Sequence, residues 1–271
     1  KNPFGRSKTG FGSRSTTGRG NLSLVSSHFK IGGIMETTTA GIHLEPSQEF
    51  TATMDVSTVR FSKILDGMAT VAGKDETRGY ICGVFVRCDE KGIVLSATNG
   101  HVAMAKRFAH WAEGDDERVQ GFDFMIPTRS IRLVSQDLRS LKGPGDWTTR
   151  IAFDRYGSDK ASASFGSAEH PGIVTIETVD ADFPELRKVA PAGSSRLASG
   201  RVKFNVALVA PYFQTVYGSR EDHKIEMRFQ ESTGGIEIRD ENDFDFYGIL
   251  MPLWSDDANE PRELEPPAWL V

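Results

Sequence analysis

One arrangement of sequence patterns occurs three times along the chain, and this repetition constrains the fold more than any other feature. Each copy begins with an extended run, continues with residues at helical spacing and ends with strand-like runs. The period is roughly 70 residues, which is too long for a solenoid repeat and fits a duplicated half-domain. The sequence therefore predicts an α+β protein with several facing sheets and its helices gathered on one side.

The first copy starts with the run EFTATMDV and continues with a predicted helix over residues 57–74. Apolar residues at helical spacing predict one buried stripe on this helix: Phe61, Ile64, Leu65, Met68, Val71 and Ala72. Its other side is polar and cationic, with Arg60, Lys63, Gly67, Thr70 and Lys74. The strand-like runs that follow are GYICGVFVRC, GIVLSATNG and HVAMAKRF. A turn joins the first two, and its Gly92 suits a positive φ.

The second copy runs from the strand FDFMIP into a helix that begins at Pro127 and Thr128. Its predicted buried stripe is Ile131, Val134, Leu138 and Leu141, and its polar side carries Arg129, Arg132, Gln136 and Arg139. The strands TRIAFDRYG, KASASFGS and GIVTIETVD complete this copy. The third copy starts at GRVKFNVALV, where Asn205 is a candidate N-cap, and ends with FDFYGILMPLW.

Two of the three predicted helices carry arginine and lysine on the side away from the core. For a single helix, a solvated face is the ordinary interpretation. Because the same stripe recurs in the same place of two copies, a binding surface is an equal alternative. A basic surface on a chain of net charge −5 suits a phosphate backbone that is bound without sequence preference. The candidate DNA-binding residues are Arg60, Lys63, Lys74, Arg129, Arg132 and Arg139.

Four motifs between residues 80 and 254 resemble, in order and approximate spacing, those of the bacterial DNA sliding clamp family, the beta subunit of DNA polymerase III. They are LSATNGHVAMAKR, FMIPTRSIRLV, VDADFPELRKVAP and ILMPLW. The resemblance implies the DNA-clamp fold, in which βαβββ half-domain units repeat with antiparallel sheets outside and helices on the inner face. It also implies that the segment ADFPELRKVAP is an extended link between domains, anchored by Phe183 and Leu186.

In the clamp family a hydrophobic pocket receives short peptides from polymerases, clamp loaders and repair proteins. Where the motifs match, the resemblance implies a pocket wall of Thr98, Gly100, Val102, Ala103, Pro191, Ile249, Met251 and Pro252. Asn99 stands where the family usually has Asp, and Val102 and Ala103 stand where it commonly has Arg and Leu. These departures predict a smaller, less charged pocket with a different peptide preference.

The predicted organisation is a basic arm at 1–20, an extended segment or partial clamp unit at 21–48, a clamp domain of two βαβββ units at 49–191, a C-terminal clamp unit at 192–254 and an acidic Pro-rich tail at 255–271. The arm carries five cations and no acidic residue. A ring of twelve units would need four chains if each has three units. If residues 21–48 add a reduced fourth unit, a trimer would suffice. We expect a homo-oligomer and favour the trimer, with a dimer or tetramer as alternatives.

The predicted function is that of a DNA sliding clamp or polymerase processivity factor, with duplex DNA, a polymerase and a clamp loader as partners. The alternative is a structural or assembly protein, for example a viral one, that has the clamp fold but no longer encircles DNA. We expect no enzymatic activity, no cofactor and no metal, because no catalytic motif or ligand spacing accompanies His101. Cys82 and Cys88, about 20 Å apart along one predicted strand, should not form a disulfide. Without a membrane span or secretory signal in the sequence, a cytoplasmic location at the nucleoid or replication site is expected.

Overall fold

The structure, a computed structural model, describes residues 48–89, 92–108, 121–141, 148–156, 160–167, 172–190, 204–218, 223–229 and 235–252. The predicted arm at 1–20, all but the last residue of the 21–48 segment and the tail at 255–271 lie outside these residues, as does Pro191.

The first predicted copy is a βαβββ unit. It consists of β1 (Gln48–Ser57), α1 (Thr58–Val71), β2 (Gly83–Asp89), β3 (Gly92–Thr98) and β4 (Val102–Phe108). Ser57 caps α1, since its side chain accepts a hydrogen bond from the backbone N–H of Arg60 at 3.3 Å. The predicted apolar stripe of α1 is confirmed, because Phe61, Leu65 and Met68 are fully buried. Gly92 has φ of 119°, as the turn before β3 predicts.

The second copy has the same order of elements: β5 (Phe122–Pro127), α2 (Thr128–Ser140), β6 (Thr148–Tyr156), β7 (Lys160–Ser167) and β8 (Ile173–Glu177). The helix begins at Thr128, whose N–H and hydroxyl both donate to the carbonyl of Cys82, at 3.0 and 2.9 Å. Ile131, Val134 and Leu138 are buried, which confirms the predicted stripe of α2.

The third copy follows one helical turn, α3 (Leu186–Val189), and contains α4 (Ala210–Tyr217), β9 (Ile225–Arg228), β10 (Ile236–Asp240) and β11 (Asp243–Leu250). Asn205 is a cap as predicted. Its side chain accepts from the N–H of Ala207 at 3.0 Å, and this bond begins a short 3₁₀ turn just before α4. Among the described residues of this copy, no strand precedes α4.

The strand pairing shows that the first two units are built reciprocally. β1 of the first unit pairs with β6 of the second, and β5 of the second pairs with β2 of the first. Each unit therefore completes the other's sheet. The four-stranded antiparallel sheet has the order β1-β6-β7-β8, and the seven-stranded sheet has the order β5-β2-β3-β4-β11-β10-β9. Pairing of β4 with β11 joins the first unit to the third.

The core lies where the two sheets and the helices meet. Aromatic side chains from four elements interlock there: Phe124 of β5 stacks on Phe153 of β6 at 5.1 Å, and Phe61 of α1 stacks on Phe165 of β7 at 6.3 Å. The helix α1 is central, since it packs against both α2 and α4. The predicted α+β arrangement of repeated units is thus confirmed.

Three local predictions are wrong. Gly79, Tyr80 and Ile81 do not begin a strand as predicted, because they belong to a 3₁₀ helix over Glu76–Ile81. The Asp75 side chain caps this helix by accepting from the N–H and hydroxyl of Thr77 at 3.0 and 2.7 Å. Cys82 lies at the end of that helix, so it does not share β2 with Cys88. Both cysteines are free thiols and form no disulfide. Gly67 is not on a solvated face but is buried against α4.

A fourth prediction is also wrong, because the segment ADFPELRKVAP is not extended throughout. Residues Leu186–Val189 form one helical turn, in which Ala190 N–H donates to the Leu186 carbonyl at 2.9 Å. Phe183, just before the turn, stacks on Phe85 of β2 with the ring centroids 4.8 Å apart and the planes 4° from parallel. This contact fixes the start of the segment to the seven-stranded sheet, as predicted for Phe183.

Candidate nucleic-acid interface and peptide pocket

Helices α1 and α2 approach each other through small and polar residues. Ser135 donates a hydrogen bond to the carbonyl of Ser62 at 3.3 Å, and both side chains are fully buried. One turn further along each helix, Arg139 Nη1 lies 2.8 Å from Asp66 Oδ2. The helices that carry the predicted cations are therefore in direct contact, through Ser62 and Ser135 and through Asp66 and Arg139.

The structure places the six predicted cations on these two helices and on the segment after α1. Five of them are exposed: Arg60 and Lys63 on α1, Lys74 beyond its end, and Arg129 and Arg132 on α2. Arg139 is half-buried. Arg132 and Arg139 are seven residues apart, which places them on the same side of α2 two turns apart.

Two of the six cations have carboxylate partners that sequence reasoning missed. Arg139 pairs with Asp66, and Arg60 Nη2 lies 3.6 Å from Asp243 Oδ2. Within the described part of the chain, no carboxylate oxygen lies within 4 Å of a side-chain nitrogen of Lys63, Lys74, Arg129 or Arg132. Asp66 follows Lys63 by three residues, a spacing that indicates a shared side of α1 but does not reveal the partner on α2.

Two buried polar contacts involve the third unit: one joins it to the first unit, and one lies within it. Asp243 of β11 accepts a hydrogen bond from the ammonium group of Lys106 of β4, and both side chains are buried. Nearby, the Tyr217 hydroxyl donates to Asp240 Oδ2 at 2.7 Å, and the Tyr217 ring stacks on His223. Burial, and then the bond to Asp240, raise the pKa of Tyr217. The bond from Tyr217 to Asp240 joins the end of α4 to β10 of the seven-stranded sheet.

The TNGH motif of the predicted pocket forms the tight turn between β3 and β4. Asn99 Oδ1 accepts hydrogen bonds from the N–H groups of His101 and Val102 at 2.9 and 3.1 Å. Gly100 has φ of +89°, a conformation that favours glycine. The amide oxygen of Asn99 can fill the acceptor role of a carboxylate in such a turn. His101 is exposed, and its backbone carbonyl accepts from Met251 N–H at 2.8 Å.

Two of the three predicted pocket segments, residues 98–103 and 249–252, come together at this turn, and the third, Pro191, lies outside the described residues. Ala103 pairs with Ile249 and Val102 with Leu250 in the β4–β11 ladder, and Thr98 is the partner of Ala103 on the other side. Thr98, Val102, Ala103 and Ile249 are buried, whereas Met251 is 40% exposed. Pro252 is half-buried. The structure thus brings Thr98, Gly100, Val102, Ala103, Ile249 and Met251 into one neighbourhood.

A groove that sequence reasoning missed lies beside the start of the ADFPELRKVAP segment. It has a volume of about 570 Å³ and is lined by Gly79, Tyr80 and residues 179–182. The Tyr80 side chain is 45% exposed there. The sequence predicts a strand over residues 79–80 and therefore does not indicate an exposed tyrosine in a 3₁₀ helix.

Within the described residues, no helix is long and apolar enough to cross a membrane. In the same part of the chain, no group of three or more His, Cys, Asp or Glu side chains is arranged to hold a metal ion.

Comparison with known proteins gives different results for sequence and structure. No family model and no curated protein matches the sequence. Solved structures of bacterial DNA polymerase sliding clamps match the fold. The clamp from Bacillus subtilis aligns with a TM-score of 0.56 at 12% identity, over 82% of this chain and 68% of the clamp. The beta subunit of DNA polymerase III from Thermotoga maritima aligns with 0.54 at 18% identity, over 82% and 70%.

A third match, the DNA polymerase III beta subunit from Borrelia burgdorferi, aligns with a TM-score of 0.53 at 15% identity. It is covered over 64% of its length, so this chain spans less than two thirds of that clamp. The chain therefore has the clamp fold, and the resemblance carried by the four sequence motifs is confirmed at the level of the fold.

Proposed function

We propose that this protein is a DNA sliding clamp, a processivity factor that encircles duplex DNA. The observation that carries the proposal is the side-by-side packing of α1 and α2, which gathers exposed cations from two duplicated units on one pair of helices. This arrangement occurs within a fold shared with solved sliding clamps. The protein would perform no chemistry, since a topological link between ring and duplex retains the polymerase.

The proposed DNA contacts are Arg60, Lys63, Lys74, Arg129, Arg132 and Arg139. Contacts of arginine and lysine with phosphates carry no base information, so they bind every sequence alike. Their free energy comes largely from counterion release, which makes the affinity fall steeply with salt. A surface of this kind permits movement along the duplex, because each position offers the same phosphate contacts.

We also propose that the turn between β3 and β4 and the end of β11 form a pocket for short peptides of the polymerase and clamp loader. Thr98, Gly100, Val102, Ala103, Ile249, Met251 and Pro252 would line it, with Pro191 completing the wall. The proximity of these segments and the exposed Met251 side chain support this assignment, because a flexible thioether adapts to varied apolar partners.

A closed homo-oligomeric ring completes the proposal, with a trimer favoured over a dimer or tetramer. A ring leaves fewer sheet edges unpaired than an open assembly. The mass of the full chain in solution measures the oligomer directly. A monomer would instead favour the alternative of a clamp-fold assembly protein that does not encircle DNA.

The DNA-binding test uses the double variant Arg129→Glu, Arg132→Glu and a duplex of arbitrary sequence. Loss of two phosphate contacts should weaken binding by about tenfold or more and lower the slope of log K against log salt by about 2. Arg139 is left unchanged, since a glutamate there would face Asp66 and disturb the contact of α1 with α2.

The matched control is Arg150→Glu, which makes the same type of charge change at an exposed position of β6. Its salt slope should equal that of the wild type, and the solution mass should be unchanged in all variants. If the helix variant binds duplex DNA as tightly as the wild type, the proposed DNA-binding surface is wrong.

A further inference from the structure

We infer that Asp66 is an internal competitor of DNA phosphate: it holds Arg139 and thereby limits the number of cations that α1 and α2 offer to the duplex. This inference rests on the proposed DNA-binding function, and it assigns a role to a residue outside the predicted set of contacts.

The geometry of the Asp66–Arg139 pair carries the inference. Arg139 Nη1 lies 2.8 Å from Asp66 Oδ2, the distance of a charge-assisted hydrogen bond. The Arg139 side chain is 38% exposed and that of Asp66 is 21% exposed, so solvent reaches the pair at the edge of the helix contact. A guanidinium group that already satisfies a carboxylate must exchange that partner before it can bind a phosphate oxygen with the same N–H.

Arg132 is the internal comparison. It lies two turns before Arg139 on the same side of α2, is exposed, and has no carboxylate within 4 Å among the described residues. A phosphate contact at Arg132 costs no exchange of an ion pair, whereas one at Arg139 does. The same helix therefore presents one cation ready for phosphate and one that is restrained.

Arg60 and Asp243 show a weaker form of the same arrangement. Their distance is 3.6 Å, and Asp243 uses its other oxygen to bind the buried Lys106. Replacing Asp243 would leave the Lys106 charge buried without a partner, so a change in DNA binding could not be separated from a change in stability. Asp66 has no such second role among the described residues and is the residue to test.

The consequence for function is a moderated affinity. Each additional phosphate contact makes association tighter and more salt-dependent. A clamp that moves along the duplex gains from charges that are present yet partly satisfied within the protein, because tight contacts would oppose movement.

The experiment compares Asp66→Ser and Asp66→Asn with Asp137→Asn, using binding of an arbitrary-sequence duplex over a range of salt. Serine is too short to reach Arg139, while asparagine keeps the shape of Asp66. Asp137 is the control: it is an exposed acid on α2 without a cation within 4 Å among the described residues, and its change adds the same net charge. Release of Arg139 should raise the affinity about three- to tenfold with Asp66→Ser and steepen the salt slope by about 0.9.

Asp137→Asn should change affinity less than about twofold and leave the slope as it is. The gain from Asp66→Ser should disappear in an Arg139→Gln background, since no guanidinium group is left to release. Equal effects of Asp66→Ser and Asp137→Asn, or a gain that persists with Arg139→Gln, would overturn the competition.

The outcomes separate this inference from the proposed function. If the double variant Arg129→Glu/Arg132→Glu weakens DNA binding while Asp66→Ser behaves like the control, the proposed DNA-binding surface stands and the role of Asp66 is wrong. If the double variant Arg129→Glu/Arg132→Glu leaves DNA binding unchanged, the proposed DNA-binding surface itself is wrong, whatever the affinity of the Asp66 variants.

Discussion

Helix α1 contacts two other helices, and the two contacts are built differently. Its contact with α2 is polar: Ser62 meets Ser135, and Asp66 meets Arg139. Its contact with α4 is apolar and close, because a Cβ on Gly67 would lie 2.6 Å from Val216 Cγ2 and 3.1 Å from the Tyr212 ring. Asp66 and Gly67 are successive residues of α1, yet the first makes a polar contact with α2 and the second a close apolar contact with α4.

The strand pairing explains the difference. The first and second units each complete the other's sheet, through β1 with β6 and β5 with β2. Backbone hydrogen bonds between strands therefore join these two units independently of the helix contact. Their helix contact can then be polar and can carry charge at the surface. The described residues of the third unit exchange no strand. The unit is held by the β4–β11 ladder, by aromatic packing and by the buried Lys106–Asp243 pair.

The largest test of this contrast is Phe246→Ala. Phe246 of β11 is fully buried and stacks on Tyr212 with ring centroids 5.3 Å apart. Its loss should cost about 3–5 kcal/mol in the free energy of unfolding, measured by denaturant titration. Hydrogen exchange should show that β9 and β10 lose protection, while β6 and β7 keep theirs.

The matched control for Phe246 is Phe244→Ala, two residues earlier on the same strand. The Phe244 side chain is 90% exposed, so this variant should change stability by no more than about 0.5 kcal/mol. Equal loss of protection across both sheets in Phe246→Ala would show that the third unit is not held separately from the other two.

A smaller effect is expected for Gly67→Ala, which adds one methyl group to the α1–α4 contact. Val216 has a short side chain that cannot move far, so we expect a loss of about 1–3 kcal/mol in the free energy of unfolding. Gly79→Ala is the control, since nothing lies within 4 Å of its Cβ position. A neutral Gly67→Ala variant would mean that the two helices are not in close contact.

Periodicity in the sequence was sufficient for the helices and the repeat, because both are local properties. The buried stripes of α1 and α2, the glycine turn before β3 and the cap at Asn205 all depend on residues a few positions apart. The exchange of β1 and β5 between units was not predicted, since strand partners about 100 positions apart, such as Phe50 and Phe153, leave no local signal.

The errors have two origins: contacts between distant parts of the chain, and one local capping motif at Asp75. Helical spacing placed Gly67 on the side of Arg60 and Lys63, but it cannot distinguish a solvated side from one covered by another helix. The composition around Tyr80 predicts a strand, but the capping hydrogen bonds of Asp75 stabilise a 3₁₀ helix there instead. In the candidate site the cations were predicted from their stripe. Their partners Asp66 and Asp243 were missed, because each pair joins distant parts of the chain.

The smallest expected effect concerns a polar bond inside the third unit, between α4 and β10, tested with Tyr217→Phe. This variant removes the hydroxyl that donates to the buried Asp240 carboxylate, which keeps a bond from Asn242 N–H at 2.9 Å. We expect a loss of about 1 kcal/mol in the free energy of unfolding near neutral pH. Tyr247→Phe is the control, since the described residues contain no hydrogen-bond partner for its hydroxyl, and it should be close to neutral.

The same variant predicts a pH dependence with a definite sign. Burial and the bond to Asp240 raise the pKa of Tyr217 above its ordinary value of 10.0. The folded state therefore retains this proton more strongly than the unfolded state, and the contribution of Tyr217 is complete below about pH 10 and is lost as the pH rises further. The stability gap between wild type and Tyr217→Phe should narrow above that pH. Cys88, whose pKa burial also raises, is present in both proteins and cancels in the difference. A gap that stays constant from pH 8 to about pH 11 would contradict the raised pKa of Tyr217.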